Sequence, residues 1–228
     1  VFKGKQPGQQ NIFASGIVMG NKIEKNWMMK TQAFNAYDSK SDVIQILIDL
    51  GIDSSKLVVE SKSNLSFHPG RSGSFYLGSN KGPLLASFGE INPIIVNQLE
   101  LDHYSPCGFE VYLDNISEPK RNQKDAKQNY VVSKFQAVDR DFAFIVDKSI
   151  SANELIKEVK KCDPLLITNI NIFDVYEGEN IEQGKKSIAF SIKLQSMEKT
   201  LDEKTIEETS QKIISAVRSH VGGTLRSS

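Results

Sequence analysis

Apolar and polar positions alternate through most of the second half of this chain. Residues 141–146, 165–176 and 187–195 each read as a strand, the last with strict alternation. Between the first two, Ser151-Ala152-Asn153-Glu154 has the spacing of a capping box and opens a helix with Leu155, Ile156 and Val159 inward. After the third strand, Thr200-Leu201-Asp202-Glu203 reads as a second capping box. The helix beyond it carries Ile206, Ile213, Ile214, Val217 and Val221 along one stripe. Gly222-Gly223 stops it, and Thr224-Leu225-Arg226 can add a short closing strand. The order βαββαβ predicts a ferredoxin-like split βαβ sheet, with both helices on one face and the other face open.

The first half mixes the two periods. Residues 12–19 read as a buried strand, and a helix follows whose Val43, Ile44, Leu47 and Leu50 fall at helical spacing. Ser39 or Asp38 is its expected cap, and Gly51 its end. Residues 57–59, 75–77, 84–88 and 109–113 read as strands, with a hairpin turn over 79–83. Asn92 followed by Pro93 starts a further helix. This half is an antiparallel-rich α+β unit. Residues 118–129 contain no apolar side chain beyond Pro119 and Ala126, so a linker is expected there. The expected division is 1–117, a linker over 118–133, and 134–228.

One stretch combines pattern with chemistry. Phe173-Asp174-Val175-Tyr176-Glu177-Gly178 ends the second strand of the later unit. On a strand, residues two apart share a face, so Asp174 and Tyr176 point the same way. A ring offers a stacking surface and a carboxylate accepts hydrogen bonds from a base edge, so the pair suits reading an unpaired nucleobase.

Composition narrows this picture. The 228 residues carry 28 basic and 28 acidic side chains, for a formal net charge of zero. Bulk electrostatics is therefore not what would hold this chain to nucleic acid, and any such contact must be local. Cys107 and Cys162 stand alone, without the spacing of a zinc site or a disulfide framework, which fits a reducing cytoplasmic setting. No apolar run approaches the roughly 20 residues that span a bilayer. The start, Val1-Phe2-Lys3-Gly4-Lys5, has no signal-peptide layout and reads as the interior of a longer protein. His68, before Pro69-Gly70, is read as a structural turn residue. His103 and His220 are read as surface groups, and Trp27 and Phe34 as packing in a core or a subunit interface.

The motifs His68-Pro69-Gly70-Arg71, Gly89-Glu90-Ile91-Asn92-Pro93, Val138-Asp139-Arg140-Asp141, residues 173–178, Lys186-Ser187-Ile188-Ala189-Phe190-Ser191 and Thr200-Leu201 occur in one order. In that order and spacing the chain resembles the C-terminal end of the bacterial phenylalanyl-tRNA synthetase beta subunits over nearly its whole length. The resemblance implies that residues 1–117 are the end of a catalytic-like domain related to the class II synthetase fold, and that residues 134–228 are a ferredoxin-fold anticodon-binding domain. The implied partners are tRNA(Phe) and the alpha subunit of an alpha2beta2 holoenzyme, which uses ATP and magnesium. No cofactor is implied for this piece. Where class II enzymes carry a glycine-rich arginine motif, this chain has Gly108-Phe109-Glu110-Val111-Tyr112-Leu113-Asp114-Asn115, without arginine. Adenylate formation needs a fixed cation, so this piece is expected to be non-catalytic.

By resemblance, the anticodon pocket falls on Ala143, Asp174, Tyr176, Ser187 and Arg226. Tyr176 would stack on the first anticodon base, a guanine, and Asp174 would accept from its ring N–H and exocyclic amine. Ser187 would add a hydroxyl, Arg226 a phosphate or stacking contact, and Ala143 would leave room. Two other readings of the later sheet stay open at this point. One is a surface for protein docking only. The other is a small acylphosphatase-type enzyme, which would need an arginine-bearing phosphate loop where the chain has Asp147-Lys148-Ser149-Ile150.

Overall fold

The computed structural model describes residues 1–101, 103–117 and 132–226. The chain divides into two compact units, Val1–Lys127 and Gln128–Ser228. The linker expected over 118–133 lies outside the described residues except for its last two positions.

The first unit contains β1 (Phe13–Val18), α1 (Ala36–Asp49), β2 (Leu57–Glu60), β3 (Phe67–Leu77), β4 (Leu84–Ile91), α2 (Pro93–Gln98) and β5 (Cys107–Tyr112). Its strands form an antiparallel sheet in the order β1-β5-β4-β3-β2. Val43 and Leu47 of α1 bury themselves against Phe75, Leu85, Ala86, Phe88 and Val111. The cap of α1 is Asn35, not Ser39 or Asp38. The Asn35 side chain accepts from the Tyr37 N–H, and the Asp38 carboxylate accepts from the Asn35 N–H at 2.8 Å. Asp38 thus fills the third-residue role of a capping box, which starts the helix earlier and leaves Ser39 buried within it.

Strand β3 begins at Phe67, well before the expected 75. Its register against β4 shifts between Phe67 and Ser72, an irregularity that accommodates Pro69, which has no N–H for the ladder. The Nδ1 of His68 accepts from the N–H groups of Gly70 and Arg71 at 3.0 and 3.1 Å, so this histidine braces the bend. Asn92 caps α2 with Pro93 in its first turn. Trp27 is 92% exposed and takes no part in the core of this unit, whereas Phe34 is half-buried.

The second unit contains β6 (Val138–Asp147), α3 (Ala152–Cys162), β7 (Ile167–Tyr176), β8 (Lys185–Leu194), α4 (Glu203–Ala216) and β9 (Thr224–Leu225). The sheet order is β7-β8-β6-β9, with every neighbouring pair antiparallel. This is the ferredoxin-like arrangement of a βαββαβ chain. The Ser151–Glu154 capping box opens α3 as the spacing predicts. The second expected box does not form. Asp202 caps α4, its carboxylate accepting from the Thr205 N–H at 2.8 Å, and Thr200 and Leu201 precede the helix. Here Asp202 is the better acceptor, because a carboxylate at the helix N-terminus also faces the positive end of its dipole. A π turn over Val217–Val221 extends α4, and Gly222, at φ +69, ends it in the left-handed conformation that glycine adopts without strain.

One face of this sheet carries the core. Phe142 and Phe144 of β6 stack with Phe190 of β8 at ring separations of 5.7 and 5.9 Å, and with each other at 6.1 Å. Leu155 and Val159 of α3, and Ile206, Ile213 and Val217 at or just beyond α4, complete the cluster. Burying each such ring contributes roughly 1.5–3 kcal/mol. The helices leave the opposite face of the sheet uncovered, and the candidate site lies there.

Candidate nucleic-acid interface

Strand β8 sets the faces. Ile188, Phe190, Ile192 and Leu194 point to the core, so Ser187, Ala189, Ser191 and Lys193 point away from it. In strand β7, Ile170 and Ile172 lie opposite Ile192 and Phe190 and share the core face. Unbroken alternation would carry Asp174 and Tyr176 to that same face, beneath the helices. The register prevents this. Ile172 pairs with Phe190, Asp174 pairs with Ala189, and Phe173 is an extra residue between them. This bulge inverts the parity of the strand and turns Asp174 and Tyr176 onto the open face. A second shift, at Thr168, lies between Ile167 and Asn169.

The open face is then a grid of cross-strand rows. One row reads Tyr176, Ser187 and Ile145, with Thr224 of β9 beyond. The next reads Asp174, Ala189 and Ala143, and the Arg226 N–H donates to the Ala143 carbonyl at 2.8 Å. Adjacent rows stand about 7 Å apart, two residues along a strand. The structure therefore brings all five expected residues to one patch. Ala143 and Ala189 make a low floor, and Ser187 sits in it at 3% exposure. Tyr176, at 38% exposure, and Arg226 reach over this floor from opposite edges of the sheet. The guanidinium carbon lies 5.9 Å from the centre of the Tyr176 ring, inside the range of a cation–π contact.

Among the described residues, the side chains of Asp174 and Ser187 make no hydrogen bond. A carboxylate has only acceptor sites and a hydroxyl can donate or accept, so the patch offers a stacking face, an acceptor pair and a small polar floor. At the hairpin mouth, the Lys148 ammonium pairs with the Glu177 carboxylate at 2.8 Å, and Lys186 donates to the Lys148 carbonyl at 3.0 Å. The hydrogen bond and charge of Lys148 hold the Glu177 carboxyl below its ordinary pKa. Among the described residues, no group of three or more His, Cys, Asp or Glu side chains is placed to hold a metal ion. No helix among them is long and apolar enough to cross a membrane.

Pattern reading missed Phe173 as a bulge, Ala189 as floor, and Ile145 as the neighbour of Ser187. The signal for the bulge was present: a polar pair follows two isoleucines in the same parity, which no unbroken strand with one dry face can accommodate.

A helix-backed ferredoxin-like sheet with one open face presents a binding surface, although the fold alone does not name its ligand. Residues 133–226 match the family described as the ferredoxin-fold anticodon binding domain, and residues 1–113 match the phenylalanyl tRNA synthetase beta chain CLM domain. The chain belongs to the family of phenylalanine–tRNA ligase beta subunits. The phenylalanine–tRNA ligase beta subunit of Rhodospirillum rubrum is 38% identical over 226 residues, covering 99% of this chain and 28% of that protein. That of Paramagnetospirillum magneticum is 35% identical over 225 residues, and that of Bradyrhizobium diazoefficiens 38% over 230, with the same coverage. The chain thus spans just over a quarter of the length of these curated relatives, 28% in each case.

Proposed function

We propose that this chain is the tRNA-reading end of a phenylalanine–tRNA ligase beta subunit, and that its second unit grips the anticodon loop of tRNA(Phe). The convergence of Tyr176, Asp174, Ser187 and Ala143 on two adjacent rows of the open face carries this reading. A base splayed from the loop stacks on the Tyr176 ring, whose face already holds a planar cation in Arg226. Asp174 accepts from the ring N–H and the amine of a guanine, which display two donors side by side. Ser187 adds a hydroxyl, Ala143 and Ala189 leave room, and Arg226 turns toward the phosphate backbone or caps the base. A docking-only sheet has no need of an acceptor and a stacking ring side by side.

The first unit is proposed to be the catalytic-like partner of an alpha subunit in an alpha2beta2 enzyme of the cytoplasm, related to the class II synthetase fold. Charging of the tRNA, with ATP and magnesium, is assigned to that assembly and not to this chain. Two features support this. Strand β5 brings no arginine to its sheet, and the polar groups facing away from α1 are bonded to one another. The Ser74, Ser87 and Tyr112 hydroxyls form a chain at 3.3 and 3.1 Å, and the Asn64 amide donates to Glu110 at 2.9 Å and lies 3.3 Å from the Tyr112 hydroxyl. This set of groups does not fit a triphosphate, which needs fixed cations.

The test is a titration with anticodon stem-loops bearing guanine or adenine at the first anticodon position. The wild-type chain is expected to prefer the guanine loop. Tyr176→Ala is expected to weaken that binding by roughly 1–3 kcal/mol, the worth of one stacked base. Equal binding of the two loops by the wild type contradicts the reading of a guanine.

A further inference from the structure

Gly178 lies two residues beyond Tyr176, and the space its missing side chain leaves is filled by the phenol. A Cβ placed on Gly178 would collide with the Tyr176 hydroxyl and come within 2.5 Å of the ring carbon that bears it. The ring therefore reclines along its own chain over Gly178 instead of standing upright from the sheet. Backbone geometry is not the reason for glycine here, because Gly178 has no positive φ. Gly184, across the same hairpin, is the opposite case, with φ +87 and open space where a Cβ would go. Glu177, the residue between ring and glycine, pairs with Lys148 across the mouth of the hairpin at 2.8 Å.

A reclining ring turns its face outward and an upright ring turns out its edge. The Arg226 guanidinium carbon lies over this ring, 5.9 Å from its centroid, so the face is where a planar group packs. We propose that Gly178 is a positioning residue for base stacking, acting only through Tyr176. This rests on the reading that the open face holds a flipped base. It adds a residue that touches no base and yet sets how strongly one is gripped.

The experiment is a double-mutant cycle on the full chain, with Gly178→Ala, Tyr176→Ala and the double variant titrated against the guanine and adenine stem-loops. Gly178→Ala is expected to lose about 5- to 10-fold in affinity for the guanine loop, a fraction of the stacking contribution. Adding it to Tyr176→Ala is expected to change affinity less than 2-fold, the non-additivity of two residues acting as one. Nuclear Overhauser contacts between the Tyr176 ring and the Gly178 α-protons are expected in the wild type without RNA. Equal losses from Gly178→Ala with and without Tyr176 would show a merely structural role and overturn the proposal. So would full wild-type affinity in Gly178→Ala, or the absence of the ring–glycine contact. A wild-type chain that binds neither loop overturns the reading of the open face and this proposal with it. Wild-type binding with an unaffected Gly178→Ala overturns this proposal alone.

Discussion

In the first unit, the sheet face away from the helix closes on itself: Ser74, Ser87, Tyr112, Asn64 and Glu110 satisfy one another. On the corresponding face of the second unit, Asn169, Asn171, Asp174, Ser187 and Ser191 make no side-chain hydrogen bond among the described residues. Both sheets are antiparallel, and both bury an aromatic-rich face under helices. The difference lies in what the second face does with its polar groups. Groups bonded to each other contribute to stability and are not free to bond a ligand. The exposed groups Asn169, Asn171 and Asp174 are left to water, contribute little to stability and remain available, since a ligand has only to replace solvent. The outer face of the first unit therefore suits a scaffold, and that of the second suits the ligand proposed for it.

Substitutions sharpen this contrast, and the largest effect is expected in the shared part of the design. Phe190→Ala removes a fully buried ring stacked on Phe142 and Phe144, and it is expected to cost the second unit ~3–5 kcal/mol in a denaturant melt. A melt unchanged from wild type would mean the inward face of β8 is wrongly assigned.

Smaller effects separate the two outer faces. Tyr112→Phe deprives Ser87 and Asn64 of a partner and is expected to lower the stability of the first unit by about 1 kcal/mol, with no change in RNA binding. Asp174→Asn is expected to do the reverse: stability within about 0.5 kcal/mol of wild type, and loss of preference for the guanine loop. If Asp174→Asn melts early while Tyr112→Phe does not, the contrast between a closed and an open polar face collapses.

Acid should act on the edges of the second unit. The Ser151 N–H and hydroxyl hold the Glu154 carboxyl below its ordinary value, as Lys148 does that of Glu177. A carboxylate depressed in the folded state contributes its full stability above its unfolded pKa, about 4.3, and loses it as pH falls through the folded value. Stability of this unit is therefore expected to decline below about pH 4. Ser151→Ala, which removes the cap, should lower stability at pH 7 by about 1 kcal/mol and make the acid decline shallower. Parallel acid profiles for variant and wild type would show that the capping box carries none of it.

Much of this was legible along the chain. Alternation located three long strands of the second unit, helical stripes located α3 and α4, and the order of elements named the sheet. Composition removed bulk charge as a binding force. The rule that residues two apart share a face tied Asp174 to Tyr176 before any coordinates. Caps were harder, because Asp38, Ser39, Asp202 and Thr200 all have capping side chains. Which one caps depends on where the helix packs, as Asn35 and Asp202 show.

What the residues alone determined is that an acid and a ring point the same way from β7. Which way they point was decided only by pairing with β8, where Phe173 is left over between Ile172 and Asp174 and the strand changes parity. The distant Arg226 comes to the same ring only because β9 closes the sheet beside β6. A bulge is a property of two strands in register, and the meeting of Arg226 with Tyr176 a property of four. The parity conflict of Ile170 and Ile172 with Asp174 and Tyr176 hints at the first and nothing local hints at the second, and the burial that selects each one exists only once the helices have covered the other face.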